Sequence, residues 1–237
     1  MATIRLDGEA RRKSIVAAAM PVFARNGFGA TTTKDIAAAA GVSEALLFKH
    51  FPTKSALYQD MLRSGCSADP VLARFASLEP STRTLIHMMH FMVHQVVIGA
   101  FGSPAECEAR TRLVVNSFLE DGEFARLVFE SIAGALGPTF AASLAAAERA
   151  GDLAPLEIAP NNRFWFAQHV AMTLAHARLP GRPLVPYDGG TDEVSGQAVR
   201  FILRGIGMTD AAIAAHYDPS AEAIAPSPIG LTSRLSA

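Results

Sequence analysis

The side chains best placed to do chemistry lie between Thr31 and Lys54, in the run TTTKDIAAAAGVSEALLFKHFPTK. Their types suit holding an anion and donating hydrogen bonds, not breaking covalent bonds. Thr32 is followed three residues later by Asp35, so its hydroxyl can cap a free backbone N–H while the carboxylate sits in the first helical turn, where the dipole favours it. Ser43 offers the same cap eleven residues on. The remaining N–H groups near Thr32 and Ser43, and at a third helix start at Lys54, are ready-made phosphate sites.

Two short helices must carry these groups. Ile36 and Ala40 share one face of the first at i, i+4 spacing. Gly41 stops it, because the chain needs a positive φ there and glycine supplies it without a clash. Leu47 and Phe51 line the inner face of the second, and Pro52 ends it. Glu44, Ala45, Lys49 and His50 fall on its outward side. This is helix-turn-helix grammar over about residues 32–51. Such a pair places a few side chains of its second helix in a DNA major groove while the first props it against the backbone. The competing reading is a compact packing unit of an all-α protein.

The longer run RRKSIVAAAMPVFARNGFGATTTKDIAAAAGVSEALLFKHFPTKSALYQDML resembles the DNA-binding domain of the TetR (tetracycline-repressor-like) family. The residues that carry the resemblance are Ile15, Ala18, Phe23, Gly27-Phe28, Thr31-Thr32, Ile36-Ala37, Ala40-Gly41-Val42-Ser43, Leu47, His50-Phe51, Lys54 and Leu57. They cover about the first quarter of the chain at fixed spacing. The resemblance implies a dimeric transcription regulator, most often a repressor, with a separate ligand-binding domain. It implies DNA contacts at Thr32, Thr33, Lys34, Ser43, Glu44, Ala45, Leu46, Phe48, Lys49, His50 and Lys54. Phe48 stands where the family usually has Tyr, so a hydroxyl that commonly reaches a phosphate is missing, and Ala45-Leu46 replaces a smaller pair. Both departures bear on which operator sequence is read.

Composition sets bounds. The 237 residues are enough for a small domain and a medium one, and half of them are apolar. Residues 1–65 carry nine basic and five acidic groups, net +4, which leaves net −5 for the remainder. A basic head on an acidic body suits a DNA reader, although solvated surface charge gives the same asymmetry. Cys66 and Cys107 have no paired spacing, which fits a reducing cytoplasm and a cytoplasmic protein. The segment MATIRLDGEARRK lacks the apolar core of a signal peptide, and no uninterrupted apolar run approaches the ~18 residues of a membrane span, so no membrane partner is expected.

The pattern predicts an all-α chain: a three-helix helix-turn-helix domain over 9–69, a larger helical ligand-binding and dimerisation domain over 70–217, and a disordered tail over 218–237. Residues 1–8 read as a loose arm before a helix from about Glu9 to Asn26, mildly kinked at Pro21 and ended by Gly27. Arg11, Arg12 and Lys13 at its start oppose the dipole, which a phosphate partner or plain solvation would offset. A connecting helix follows from Lys54 to about Gly65, and turns are marked at Asp69-Pro70 and Glu79-Pro80-Ser81. Ser81–Ala100 is a central helix, apolar nearly all round. Further helices are expected from Ser103-Pro104 to Leu119, around Phe124–Ile132 with an interruption at Gly137-Pro138, from Thr139 to Ala150, from an Asn161 cap to Ala177, from Thr191 or Asp192 to Ile206, and from Thr209 to His216.

No G-x-S-x-G, H-E-x-x-H or phosphate loop is present, and the carboxylates form no paired constellation, so neither an enzyme nor a cofactor is expected. His87, His90 and His94 fall within about 60° on one helix face, which suits either a shared cation or hydrogen-bonded core histidines. Three functions remain. The first is an operator-binding homodimer that responds to a small, hydrophobic or aromatic effector, with His87, Phe91, Met92, Phe118, Phe129, Trp165 and His169 as candidate pocket residues. The second is a dimeric sensor or interaction module that no longer reads DNA. The third is redox sensing through Cys66 or Cys107.

Overall fold

The computed structural model describes residues 8–65, 74–98, 104–179 and 184–219. Among these residues the chain is helical, without strands beyond an isolated Leu153–Met208 bridge. The helices are α1 (Gly8–Ala30), α2 (Thr33–Ala39), α3 (Glu44–His50), α4 (Lys54–Gly65), α5 (Thr82–Ile98), α6 (Pro104–Leu119), α7 (Glu123–Ala150), α8 (Pro160–His176), α9 (Thr191–Gly205) and α10 (Asp210–His216). Several expectations fall outside the described residues: most of the N-terminal arm, Cys66, the Asp69-Pro70 turn, the Ser103 helix start, and the tail beyond residue 219.

Two compact units emerge. The first comprises residues 1–73 and 108–135, and the second 74–107 and 136–237. In the first unit Ile15, Ala19 and Phe23 of α1 are fully buried together with Ile36, Leu47, Phe51, Leu57 and Met61, so α1–α4 share one small core. Gly27 breaks the helical path of α1 at φ 73°, ψ 172°, a region that essentially only glycine occupies, and the chain turns there toward α2. Tyr58 packs edge-on against Phe23 with ring centroids 5.0 Å apart, and against Phe28 at 4.9 Å.

In the second unit α5 is central. Leu85, Ile86, Met88, Met89, Phe91, Met92 and Val93 are all buried, as an all-round apolar helix requires. It packs on α8 and α9, and α10 closes against it. Arg163 at the start of α8 is buried, yet its guanidinium reaches the carbonyls of Ile158, Leu156 and Ile206 and the carboxylate of Glu148, so the desolvated charge is met on every side.

Two local expectations are corrected. The Gly137-Pro138 pair does not interrupt a helix: α7 runs unbroken for 28 residues with Pro138 inside it. Proline forfeits one backbone bond and crowds the carbonyl four residues back, but position 134 is glycine, and the apolar side chains of Leu136, Phe140 and Leu144 are buried on either side. The gain from burial exceeds the loss of one bond. By length and composition alone α7 could cross a bilayer, but Phe124, Leu136, Phe140, Leu144 and Ala147 on it are buried within the protein. The second correction concerns α8. Its cap is Ala159 rather than Asn161, and Pro160 occupies the first turn, where a missing N–H costs nothing.

Candidate nucleic-acid interface

The reading pair is built from local signals. Thr32 and Asp35 form a reciprocal capping box: the Thr32 hydroxyl accepts from the Asp35 N–H at 3.1 Å, and the Asp35 carboxylate accepts from the Thr32 N–H at 3.1 Å and from its hydroxyl at 2.6 Å. The side-chain and then the backbone hydrogen bond from Thr32 hold the Asp35 carboxyl below the usual range. Ser43 caps α3 through the Leu46 N–H at 3.2 Å. Gly41, at φ 63°, makes the turn between the helices. With Asp35 and Leu46 satisfied by the caps, the first-turn N–H groups of Thr33, Lys34, Glu44 and Ala45 have no intrahelical partner to find.

The outward face of α3 is Glu44, Ala45, Phe48 and Lys49, all exposed. His50 is half-buried, so Phe48, at 44% exposure, completes the face in its place. The positions 44, 45, 48 and 49 are what a 3.6-residue period demands once Leu47 and Phe51 point inward. Leu46 is half-buried. Glu44 also accepts a hydrogen bond from the Thr33 hydroxyl at 3.0 Å, which ties the first turn of α3 to the first turn of α2. Lys34 is exposed on α2.

Two cations hold this pair in place. Lys54 Nζ donates to the carbonyls of Phe28 at 2.7 Å, Thr31 at 2.8 Å and Gly29 at 3.4 Å, and lies 4.4 Å from the centre of the Phe28 ring. An ammonium has three donors, and all three are directed at the end of α1. The Lys54 ammonium therefore acts as an internal clamp. Arg12 is the second clamp. It donates to the His50 carbonyl at 2.9 Å, pairs with Asp60 at 3.0 Å, and lies over the Phe51 ring at 4.3 Å. Both cations sit at helix C-termini, the ends where positive charge is favoured. Arg12 had only a pattern of like charges to mark it in the sequence, and its partners lie 38 and 48 residues away.

Behind the pair, the end of α6 reaches the end of α1. Asn116 Nδ2 donates to the Ala24 carbonyl at 3.0 Å, and the Glu120 carboxylate accepts from the Phe28 N–H at 3.1 and 3.3 Å. Burial, with Asp121, Glu120 and Glu123 nearby, pushes the Tyr58 phenol up to about 12 and keeps it neutral. None of Asn116, Glu120 or Tyr58 was singled out by sequence reasoning, because no local pattern marks a contact across 92 residues.

The expected pocket residues fall into three groups. His87 and Phe91 flank Phe75, with ring centroids 5.4 and 4.5 Å away, and Met92 is buried on the same helix. Trp165 and His169 are one turn apart on α8, where His169 Nδ1 lies 2.6 Å from the Trp165 carbonyl. Phe118 and Phe129 pair at 5.9 Å in the first unit, with Phe118 half exposed. In the histidine row only His90 is buried; it stacks on His94 at 3.9 Å and its Nδ1 lies 3.3 Å from the Tyr217 hydroxyl.

Residues 15–61 match the family model for bacterial regulatory proteins of the tetR family. The chain is 44% identical over 54 residues to the HTH-type transcriptional regulator RutR of Escherichia coli, a match spanning 23% of this chain and 26% of that protein. It is 46% identical over 50 residues to the HTH-type transcriptional regulator YvkB of Bacillus subtilis, again 26% of the relative's length. Solved structures extend the likeness in fold. A tetR-family regulatory protein from Rhodococcus RHA1 superposes with TM-score 0.61 at 21% identity, covering 84% of this chain and 98% of that one. NalD of Pseudomonas aeruginosa, the secondary repressor of the MexAB-OprM multidrug efflux pump, gives 0.61 at 21% over 86% and 99%. AibR, solved with isovaleryl coenzyme A and operator DNA, gives 0.59 at 15% over 81% and 97%. Residues 15–61 are thus a tetR-type helix-turn-helix segment, the chain spans about a quarter of the length of the curated relatives it matches, and it shares an all-helical fold with the solved structures.

Proposed function

We propose that the protein is a DNA-binding transcriptional regulator that acts in the cytoplasm as a homodimer, and that it represses until a small hydrophobic or aromatic effector releases it from its operator. The observation that carries this reading is the exposed face Glu44-Ala45-Phe48-Lys49 on a helix whose opposite side is locked into the head by Leu47, Phe51 and the Arg12 clamp. A helix of seven residues contributes little core, so four unburied side chains on a rigid mount are best explained by a groove partner. Lys34 and the open first-turn N–H groups of α2 would meet phosphates beside it.

Dimerisation is supported by α8 and α9. They pack together in the second unit, and each exposes a phenylalanine, Phe166 at 59% and Phe201 at 66%. Large apolar groups of this kind suit a two-fold contact between copies. Two heads so joined would read half-sites about one helical turn apart. The aromatic and thioether side chains of Phe75, Phe91 and Met92 beside His87 support a hydrophobic or aromatic effector. The fold-level likeness to AibR, bound to a coenzyme A ester and operator DNA, supports the same two-ligand scheme. An effector releases the DNA only if it binds the two states unequally.

A gel-shift titration against the DNA flanking the protein's own gene tests the reading, with sedimentation of the free protein alongside. Specific, salt-sensitive binding by a dimer is expected. A dimer without specific DNA binding would favour an interaction module, and a monomer would overturn the scheme.

A further inference from the structure

The exposed face of α3 has an unusual alphabet for a base reader. It contains no Arg, Asn or Gln, the side chains that grip guanine or adenine with two hydrogen bonds. Its one cation is Lys49, and its one carboxylate, Glu44, already accepts from Thr33 at 3.0 Å. What it presents between them is apolar: the Ala45 methyl and, one turn along, the Phe48 ring, 44% exposed. An aromatic ring left in water on a rigid helix is costly unless an apolar group covers it when the partner binds. In the major groove the apolar group available on a base edge is the C5-methyl of thymine.

We propose that Phe48, with Ala45 beside it, is a specificity determinant that reads a thymine methyl in each operator half-site. The inference rests on the DNA-binding reading above and names what its central side chains recognise. Its physical content is narrow. The contact is dispersion and desolvation of one methyl group, so it discriminates thymine from uracil, which differ only in that methyl and pair identically. Glu44 and Lys49 frame the contact but do not distinguish those two bases.

The test begins with the full-length protein and a random-sequence duplex pool, from which bound sequences are selected. Each thymine of the selected site is then replaced singly by uracil, and the dissociation constant is measured by fluorescence anisotropy. Uracil at one position per half-site is expected to weaken binding about fourfold, the weight of one buried methyl group. Phe48→Ala should bind the thymine and uracil duplexes equally, while Phe48→Leu, which keeps an apolar side chain there, should retain part of the difference. Circular dichroism and melting of both variants show that the head is folded. If every uracil duplex binds as tightly as the parent, or if the sensitive position stays sensitive in Phe48→Ala, the proposal is overturned and DNA binding stands. If the pool yields no enriched sequence, the DNA-binding reading fails first and takes the proposal with it.

Discussion

Lys54 holds Phe28 twice: its ammonium donates to the Phe28 carbonyl at 2.7 Å and lies 4.4 Å from the centre of the same residue's ring. One cation thus caps the end of α1 and fixes the aromatic residue that packs on Tyr58. The same ammonium reaches Thr31, the residue before the capping box of α2. The start of the helix-turn-helix is therefore set by a residue beyond its end.

Replacing Lys54 by Met should remove those bonds while keeping the stem's volume. The head should lose about 2 kcal/mol, the scale of hydrogen bonds from a charged donor in a partly buried site. Urea unfolding measures this. DNA affinity should fall as well, but the slope of log K against log salt should stay at its parental value, because no phosphate contact is lost. Lys49→Ala should do the opposite, leaving the unfolding midpoint in place and lowering the slope by about 1. A reduced slope in Lys54→Met would restore Lys54 to the list of phosphate contacts.

Gly27 and Glu120 form the second test. A Cβ added at Gly27 would stand 2.5 Å from Glu120 Oε1, at a backbone φ of +73° that L side chains rarely adopt. Gly27→Ala should cost about 1–3 kcal/mol for the backbone alone. Glu120→Ala should cost about 0.5–1 kcal/mol, since it frees an exposed N–H. Together they should cost less than the sum, because removing the carboxylate also removes the clash. Strict additivity in denaturant melts would mean that the carboxylate moves aside at no cost.

Arg12 gives a third prediction. Its guanidinium serves the His50 carbonyl and the Asp60 carboxylate at once, which needs the planar fork. Arg12→Lys should lose one of these contacts and destabilise the end of α3. The ion pair is partly solvated, so the loss should be about 1 kcal/mol. Faster amide exchange in α3, with α5 and α8 unchanged, is the expected signature, and uniform exchange would argue against a local role.

How much of this could be read beforehand follows the range of the forces. The caps at Thr32 and Ser43, the Gly41 turn and the buried stripe of Ile15, Ala19 and Phe23 depend on neighbours within a few residues, and each stands where the pattern put it. Phe164, Trp165 and Phe166 could not all face one core, and they are respectively buried, half-buried and exposed. Pro138 departs from the local pattern because propensity is local while the burial of Phe140 and Leu144 is tertiary. The clamps and the Glu120 contact join residues 23 to 92 apart, which no periodicity encodes. The same holds for the grouping of 108–135 with the first unit.

The histidine row predicts the response to acid. Burial first, then the neighbouring charges of His94 and His87, pushes His90 down to about 4. Burial also lowers His94, against a smaller upward pull from Asp192, and lowers His176. An unfolded chain titrates these imidazoles near 6.5. Between about 6.5 and 4 the unfolded state binds more protons than the folded one, so stability must rise with pH through that window. Above 6.5 the contribution is fully present; it drains away as acid charges the imidazole of the unfolded chain, while the folded ring, stacked on His94 and hydrogen-bonded to Tyr217, stays neutral down to about 4. Denaturant melts at half-unit steps from pH 4.5 to 7.5 should show this slope. His90→Gln removes the titrating group while leaving a polar side chain toward Tyr217, and it should flatten the curve while lowering stability at neutral pH. A slope unchanged in His90→Gln would assign the acid sensitivity to other groups and leave His90 as neutral packing.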